Sequence, residues 1–199
     1  MRLREVDFSA VWEGKCPICG VRGCLRRIPS YERTVTELFP EVRTGKVPVV
    51  RLLCRKTGRT VSLLPLELAP FHRYTVPTML RILVLLHGLF GRGVQSLEDA
   101  VLDVVTDDND LTVGVVGRWS DVAVRGLSRG HAELRKEYDL SGIRSGTGLR
   151  GRTGEVVAYL DACGVRGPPA SAAEVPPLLQ SYSRTTGRFL VGRATQDRG

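Results

Sequence analysis

The segment Cys16-Pro17-Ile18-Cys19 sets two thiols three residues apart, with Cys24 close behind and Cys54 further along. Two thiols at C-x2-C spacing on a tight turn reach one tetrahedral zinc ion, and cysteines from elsewhere in a chain close such a site. Cys16, Cys19 and Cys54 supply three ligands, and a structural zinc site needs four. In a common zinc ribbon the fourth stands three residues after Cys54, where this chain has Thr57, a poor zinc ligand. Two residues remain. Cys24 lies four beyond Gly20 and can fold back over the ion, whereas His72 lies further away. The spacing favours Cys24. The competing reading is a set of buried thiols without metal. Cys163 falls in a helical stretch and is expected in the core.

The other polar clusters offer little chemistry. Asp107, Asp108 and Asp110 lack the ligand spacing and terminal Glu of an EF-hand loop, so a solvated turn is expected. His72, His87 and His131 stand in no constellation that would activate a nucleophile. His87 sits in an apolar helical stretch, the usual setting of a satisfied core histidine. Ser145-Gly146-Thr147-Gly148 lacks the Gly-Lys-Ser/Thr that completes a P-loop. The chain is not expected to be an enzyme.

The thiols must be held by the elements around them. Lys46 to Cys54 is rich in β-branched and apolar residues, Arg55 to Arg59 is a turn signal, and Thr60 to Leu64 is a second strand. This predicts a hairpin with Cys54 at the end of its first strand. Tyr31 to Val42 is a third strand or a short excursion. A knuckle followed by a hairpin is the layout of a zinc ribbon.

Beyond about residue 73 the pattern turns helical. Thr75 caps a helix with Pro77 in its first turn and a body from Met79 to Phe90, ended by Gly88, Gly91 and Gly93. Ser96-Leu97-Glu98-Asp99 resembles a capping box and opens a helix to about Val105. Thr112 caps the next, with Val115, Val116, Trp119, Val122 and Ala123 on one face, and Ser128 to Tyr138 forms another. Residues 141–154 read as a basic loop, Glu155 to Cys163 as a helix, and the tail from Arg184 as basic and loose. The fold class is therefore α+β: a small N-terminal zinc-ribbon-like β module over 1–72, a helical domain over 73–140, and a basic loop, short helices and tail over 141–199. The helices Ser96–Val105 and Thr112–Ala123 suit a helix-turn-helix and equally an ordinary αα-hairpin.

The chain has 199 residues, 42% hydrophobic, and a net charge of +8. Residues 1–60 carry 13 basic and 6 acidic side chains, 61–111 carry 3 and 7, and 112–199 carry 13 and 8. Two basic regions around an acidic middle suit a polyanion, most often nucleic acid. The plainer reading is a basic surface that confers solubility. Five cysteines are too few for a disulfide scaffold, and Met1 to Glu5 begins no apolar signal segment. A cytoplasmic location follows as the expectation, where clustered thiols favour metal over disulfides. The apolar stretch around Ile82 to Leu86 contains Arg81 and His87 nearby and is too short to span a bilayer, so no membrane partner is expected.

The run Cys16-Pro-Ile-Cys-Gly20 with Cys24, then Pro48 to Cys54, then Arg59-Thr-Val-Ser-Leu-Leu-Pro65, then Pro70-Phe-His-Arg-Tyr74 resembles a known domain. It is similar to the uncharacterised zinc-ribbon-like N-terminal domain of bacterial transposase-like and insertion-sequence-associated proteins. The resemblance covers about residues 14–90 and runs more loosely to Trp119. Its most specific part follows Cys54. Some members carry a second full C-x2-C pair, and others carry a cysteine at the Cys24 position with a single late cysteine. The resemblance thus implies Zn2+ held by Cys16, Cys19, Cys24 and Cys54. It also implies binding of double-stranded DNA at the ends of a mobile element, with a helix-turn-helix reading the sequence. The residues expected at the nucleic acid are Arg22, Arg26, Arg27, Arg51, Arg55, Lys56 and Arg59 in the ribbon, with Arg118 and Arg125 on the helix after Thr112. A carboxylate-type transposase needs a strand-rich RNase H-like domain with three acidic metal ligands, and no such region follows residue 90. The expected function is zinc-dependent DNA binding without a catalytic domain. The alternative is a protein–protein adaptor built on the ribbon and the helices.

Overall fold

A computed structural model describes residues 15–39, 41–65, 67–94, 96, 98, 99, 111–165 and 175–186. The protein is α+β: a three-stranded sheet followed, among the described residues, by four long helices. These residues form two units. The first comprises residues up to Val35 and Thr44–Pro65, and the second Thr36–Arg43 and everything from Leu66.

The sheet has the order β1 (Leu25–Glu37), β2 (Arg43–Cys54), β3 (Thr60–Leu63). The link between β1 and β2 is too short for a parallel crossover, so the pair is antiparallel. Strands β2 and β3 are antiparallel, with Val50 opposite Leu63, Arg51 opposite Ser62, Leu52 opposite Val61 and Leu53 opposite Thr60. The two-residue period puts Val50, Leu52 and Cys54 on one face with Val61 and Leu63. Val50, Leu52 and Cys54 are buried there, whereas Arg51 is only half-buried. The hairpin falls where expected. The third strand proves longer, beginning at Leu25, directly after Cys24.

In the second unit, α1 (Val76–Gly91) starts at Thr75, whose Oγ1 accepts from the Thr78 N–H at 3.3 Å. Chain Thr36–Phe39 lies along its start. Thr36 bridges Tyr74, the Leu38 N–H donates to Thr78 Oγ1, and the Arg81 guanidinium stacks 4.1 Å from the Phe39 ring. Then come α2 (Val113–Leu134), α3 (Gly148–Ala162) and α4 (Val175–Thr186). Helix α1 packs on α2 and α3, and α2 packs on α3 and α4. The core they enclose contains Met79, Leu83, Leu86, Trp119, Leu127, Val156, Leu160 and Tyr182, with Tyr74 meeting Trp119 edge-on at 5.1 Å.

Two helix boundaries differ from the sequence reading. The segments expected as separate helices, Thr112–Ala123 and Ser128–Tyr138, form one 22-residue helix. Its buried stripe of Val116, Trp119, Ala123, Leu127 and Leu134 continues through Gly126 and Gly130, so packing carries the helix across two poor helix formers. Tyr182 seals this point by donating its hydroxyl to the Gly126 carbonyl. Helix α3 also starts earlier than expected, at Gly148 inside the segment read as a loop. Its glycines sit at close approaches. A Cβ on Gly154 would lie 3.3 Å from His87 Cε1, and one on Gly146 would lie 2.0 Å from the Gly151 carbonyl oxygen. The capping bond expected at Ser96 is present, from the Asp99 N–H at 3.3 Å. The rest of the helix expected over Ser96–Val105 and the turn at Asp107–Asp110 lie outside the described residues, as does the tail beyond 186.

Candidate metal centre

Five-residue turns at the two ends of the first unit hold the thiols, and they share one backbone design. In the first, Cys16 to Gly20, the Gly20 N–H donates to the Cys16 carbonyl at 2.8 Å and the Cys16 N–H to Val21 O at 3.1 Å. In the second, Cys54 to Gly58, the Gly58 N–H donates to the Cys54 carbonyl at 2.9 Å and the Cys54 N–H to Arg59 O at 2.8 Å. Both turns close on a glycine in the left-handed region, Gly20 at φ 71 and Gly58 at φ 68, a conformation that strains residues with a Cβ. The sulfur at each start accepts equivalent amide bonds, Cys16 from Ile18 and Cys19, Cys54 from Lys56 and Thr57. Two metal knuckles are therefore built, although only the first carries two thiols. The sequence carries the repeat as Cys-x-x-Cys-Gly and Cys-x-x-Thr-Gly, but without a second thiol the later copy gives no ligand signal.

Cys24 completes the group. It follows Gly23, and its carbonyl accepts the Arg55 N–H at 3.0 Å, tying it to the second knuckle. The Sγ atoms of Cys16, Cys19, Cys24 and Cys54 all lie within 4.8 Å of one another. Cys19 is 3.3 Å from Cys24, Cys24 is 3.8 Å from Cys54, and Cys54 is 3.6 Å from Cys19. A tetrahedron of thiolates at a Zn–S distance of about 2.3 Å has edges of about 3.8 Å. A disulfide would need sulfurs about 2.05 Å apart. The spacing fits one tetrahedral ion. Cys16, Cys24 and Cys54 are buried and Cys19 is half-buried. His72 belongs to the other unit, and its N–H donates to the Ala69 carbonyl. The four cysteines form the group without it.

The sulfurs differ in their electrostatics. The Thr57 hydroxyl is the largest influence on Cys54; burial opposes it, the Thr57 and Lys56 N–H groups and the Cys19 thiol act with it, and the Cys54 thiol is brought down to about 6. For Cys16, burial opposes ionisation, but donation from Ile18, Cys19 and the neighbouring thiols leaves the value below the ordinary one. Cys24 goes the other way. Burial first, then its bonds to the surrounding sulfurs, pushes it up to about 12. The sulfurs are thus unequal in acidity, Cys54 and Cys16 below the ordinary value and Cys24 above it. A divalent cation would displace the thiol protons and satisfy all four sulfurs.

Six of the basic residues expected at nucleic acid, Arg22, Arg26, Arg27, Arg55, Lys56 and Arg59, are exposed, whereas Arg51 is half-buried. Residues 15–35 and 44–65 carry ten basic side chains and a single acid, Glu32. Arg118 and Arg125 are exposed on α2, where Arg125 donates to the Asp121 carbonyl and lies 3.9 Å from its carboxylate. No helix–turn–helix pair is visible among the described residues, since its expected first helix falls largely outside them. His131 bonds the Tyr159 hydroxyl at 2.7 Å, and the buried His87 Nδ1 has no hydrogen-bond partner, unlike the satisfied histidine expected. Cys163 is half-buried at the end of α3, its thiol pushed up to about 11 by burial and then by Glu137. Among the described residues no helix is long and apolar enough to cross a membrane.

Comparison with protein-family models, with curated proteins and with solved structures gave no match. The geometry of the centre and the charge around it are what bear on function.

Proposed function

We propose that this chain is a zinc-dependent binder of double-stranded DNA, related to the N-terminal domains of transposase-like proteins and without a catalytic domain of its own. The observation that supports it best is the pairing of a closed four-cysteine cluster with surrounding strands and turns that carry ten cations, most of them exposed, and one acid. The zinc is structural. Four protein sulfurs fill a tetrahedral shell, leaving no position for a reacting water. The ion holds the two knuckles together, and these present Arg22, Arg55, Lys56 and Arg59 from their exposed turns. Such cations bind phosphates by displacing condensed counterions, so affinity falls steeply with salt. Arg118 and Arg125 on α2 supply the helical contribution.

The test is duplex binding across a salt series. With seven ribbon cations engaged, log K should fall against log salt with a slope of roughly −6. Replacing Arg55, Lys56 and Arg59 together by Ala should make that slope shallower by about 3. Binding that ignores salt, or no binding, overturns the reading. The adaptor alternative is favoured by one observation. Phe71 is 85% exposed and its backbone has φ 66, a strained conformation for an aromatic residue held in solvent. An adaptor would be indifferent to the triple substitution and sensitive to Phe71→Ala.

A further inference from the structure

The second knuckle is complete in every backbone respect, yet its second ligand position holds Thr57. In the first knuckle the equivalent position, three residues after the leading cysteine and just before the left-handed glycine, is Cys19. The shared backbone thus puts residue 57 at the place where the first knuckle holds its second thiol. Thr57 Oγ1 accepts the Arg59 N–H at 3.3 Å, which occupies a lone pair and leaves its proton to point elsewhere. Its hydroxyl and its N–H lie close enough to the Cys54 sulfur to act on its acidity.

We propose that Thr57 is a positioning residue of the metal centre: it stands in the second ligand place of the second knuckle, holds the Cys54 sulfur by a hydrogen bond, and leaves the fourth coordination corner to Cys24. This rests on the zinc reading above and extends it. A hydroxyl donated to a metal-bound thiolate fixes the sulfur's direction and withdraws some of its charge. The groups that orient ligands in this way are worth about tenfold to a hundredfold in metal affinity. It also follows that the frame accepts either arrangement of four thiols. A cysteine at 57 would enter the cluster from the second knuckle as Cys19 does from the first, and Cys24 would become dispensable.

The experiment is titration of the full chain with Co2+ and then Zn2+, reading the tetrahedral thiolate absorption bands of cobalt and the competitive affinity for zinc. Thr57 is exposed, so its replacement disturbs no packed core, and far-UV circular dichroism of the helices reports folding for each variant. Thr57→Val should weaken binding by about tenfold to a hundredfold, and Thr57→Ser should keep it. Cys24→Ser should lose the four-thiolate spectrum, and Cys24→Ser combined with Thr57→Cys should regain it. A wild-type chain that takes up no metal overturns the zinc reading and this inference with it. A wild type that binds one ion, with Thr57→Val unchanged or the double variant no better than Cys24→Ser alone, overturns the inference and leaves the zinc reading standing.

Discussion

Individual side chains in this protein carry their roles through what surrounds them. Cys16 and Cys54 are chemically identical to Cys24, yet burial and the direction of neighbouring donors separate them widely in acidity. Tyr159 shows the same logic in the helical unit. It is buried beside Glu155, whose carboxylate accepts from the Gly146 N–H at 2.8 Å. Burial first, then the Glu155 charge, raises its phenol from 10.0 to about 12. A raised acid binds its proton more tightly when folded. Its contribution to stability is therefore complete below pH 10 and is lost as pH climbs from 10 towards 12. Urea unfolding at about pH 9 and about pH 11 should show wild type losing more stability across that interval than Tyr159→Phe. Equal losses would remove the phenol from the account. The Cys163 thiol shifts in the same direction, so only the difference between the two variants reports the phenol.

At the level of elements, glycine decides where helices go. Gly146 and Gly151 meet so closely that a methyl group at 146 would collide with backbone. Gly146→Ala should destabilise the helical unit by about 1–3 kcal/mol, the range of overpacking. Gly117 lies inside α2 with nothing within 4 Å of where a Cβ would stand, so Gly117→Ala should stabilise by about 0.5–1 kcal/mol. Thermal melts of the two variants should move in opposite directions, and a common direction would show that helix propensity and close approach have been misassigned. Of the glycines that weakened the helical signal over 141–154, Gly146, Gly151 and Gly154 are thus positions of contact. A single sequence shows a glycine without showing the chain it must clear.

For the whole molecule the two units rest on different physics. The helical unit has a continuous apolar core, whereas the first unit buries, among its described residues, the sulfur cluster with Ile18 and Leu25 beside it and the few strand residues Val35, Val49, Val50 and Leu52. So small a core gives little stability by itself, and a bound metal would supply what burial does not. Chelation should therefore unfold the ribbon and abolish salt-sensitive duplex binding while the helical circular dichroism persists. Loss of both signals together at stoichiometric chelator would contradict that division. Protease digestion of the chelated protein should cut first within residues 15–65.

The sequence by itself determined much of this. Ligand spacing exposed the thiol cluster, two-residue alternation and a turn signal exposed the β2–β3 hairpin, and the capping threonines Thr75 and Thr112 marked two helix starts. Each is a local pattern, written within one or two turns of chain. Three matters were decided only by tertiary structure. Spacing favoured Cys24 as the fourth corner of the cluster, and the bond from the Arg55 N–H to its carbonyl, far along the chain, is what sets it there in place of His72. Helix α2 runs unbroken through Gly126 because a buried stripe and Tyr182 hold it there. Thr57 became legible only when both knuckles were seen to share one backbone. In every case the missing element was an interaction between residues far apart in the chain, whose energy no local spacing records.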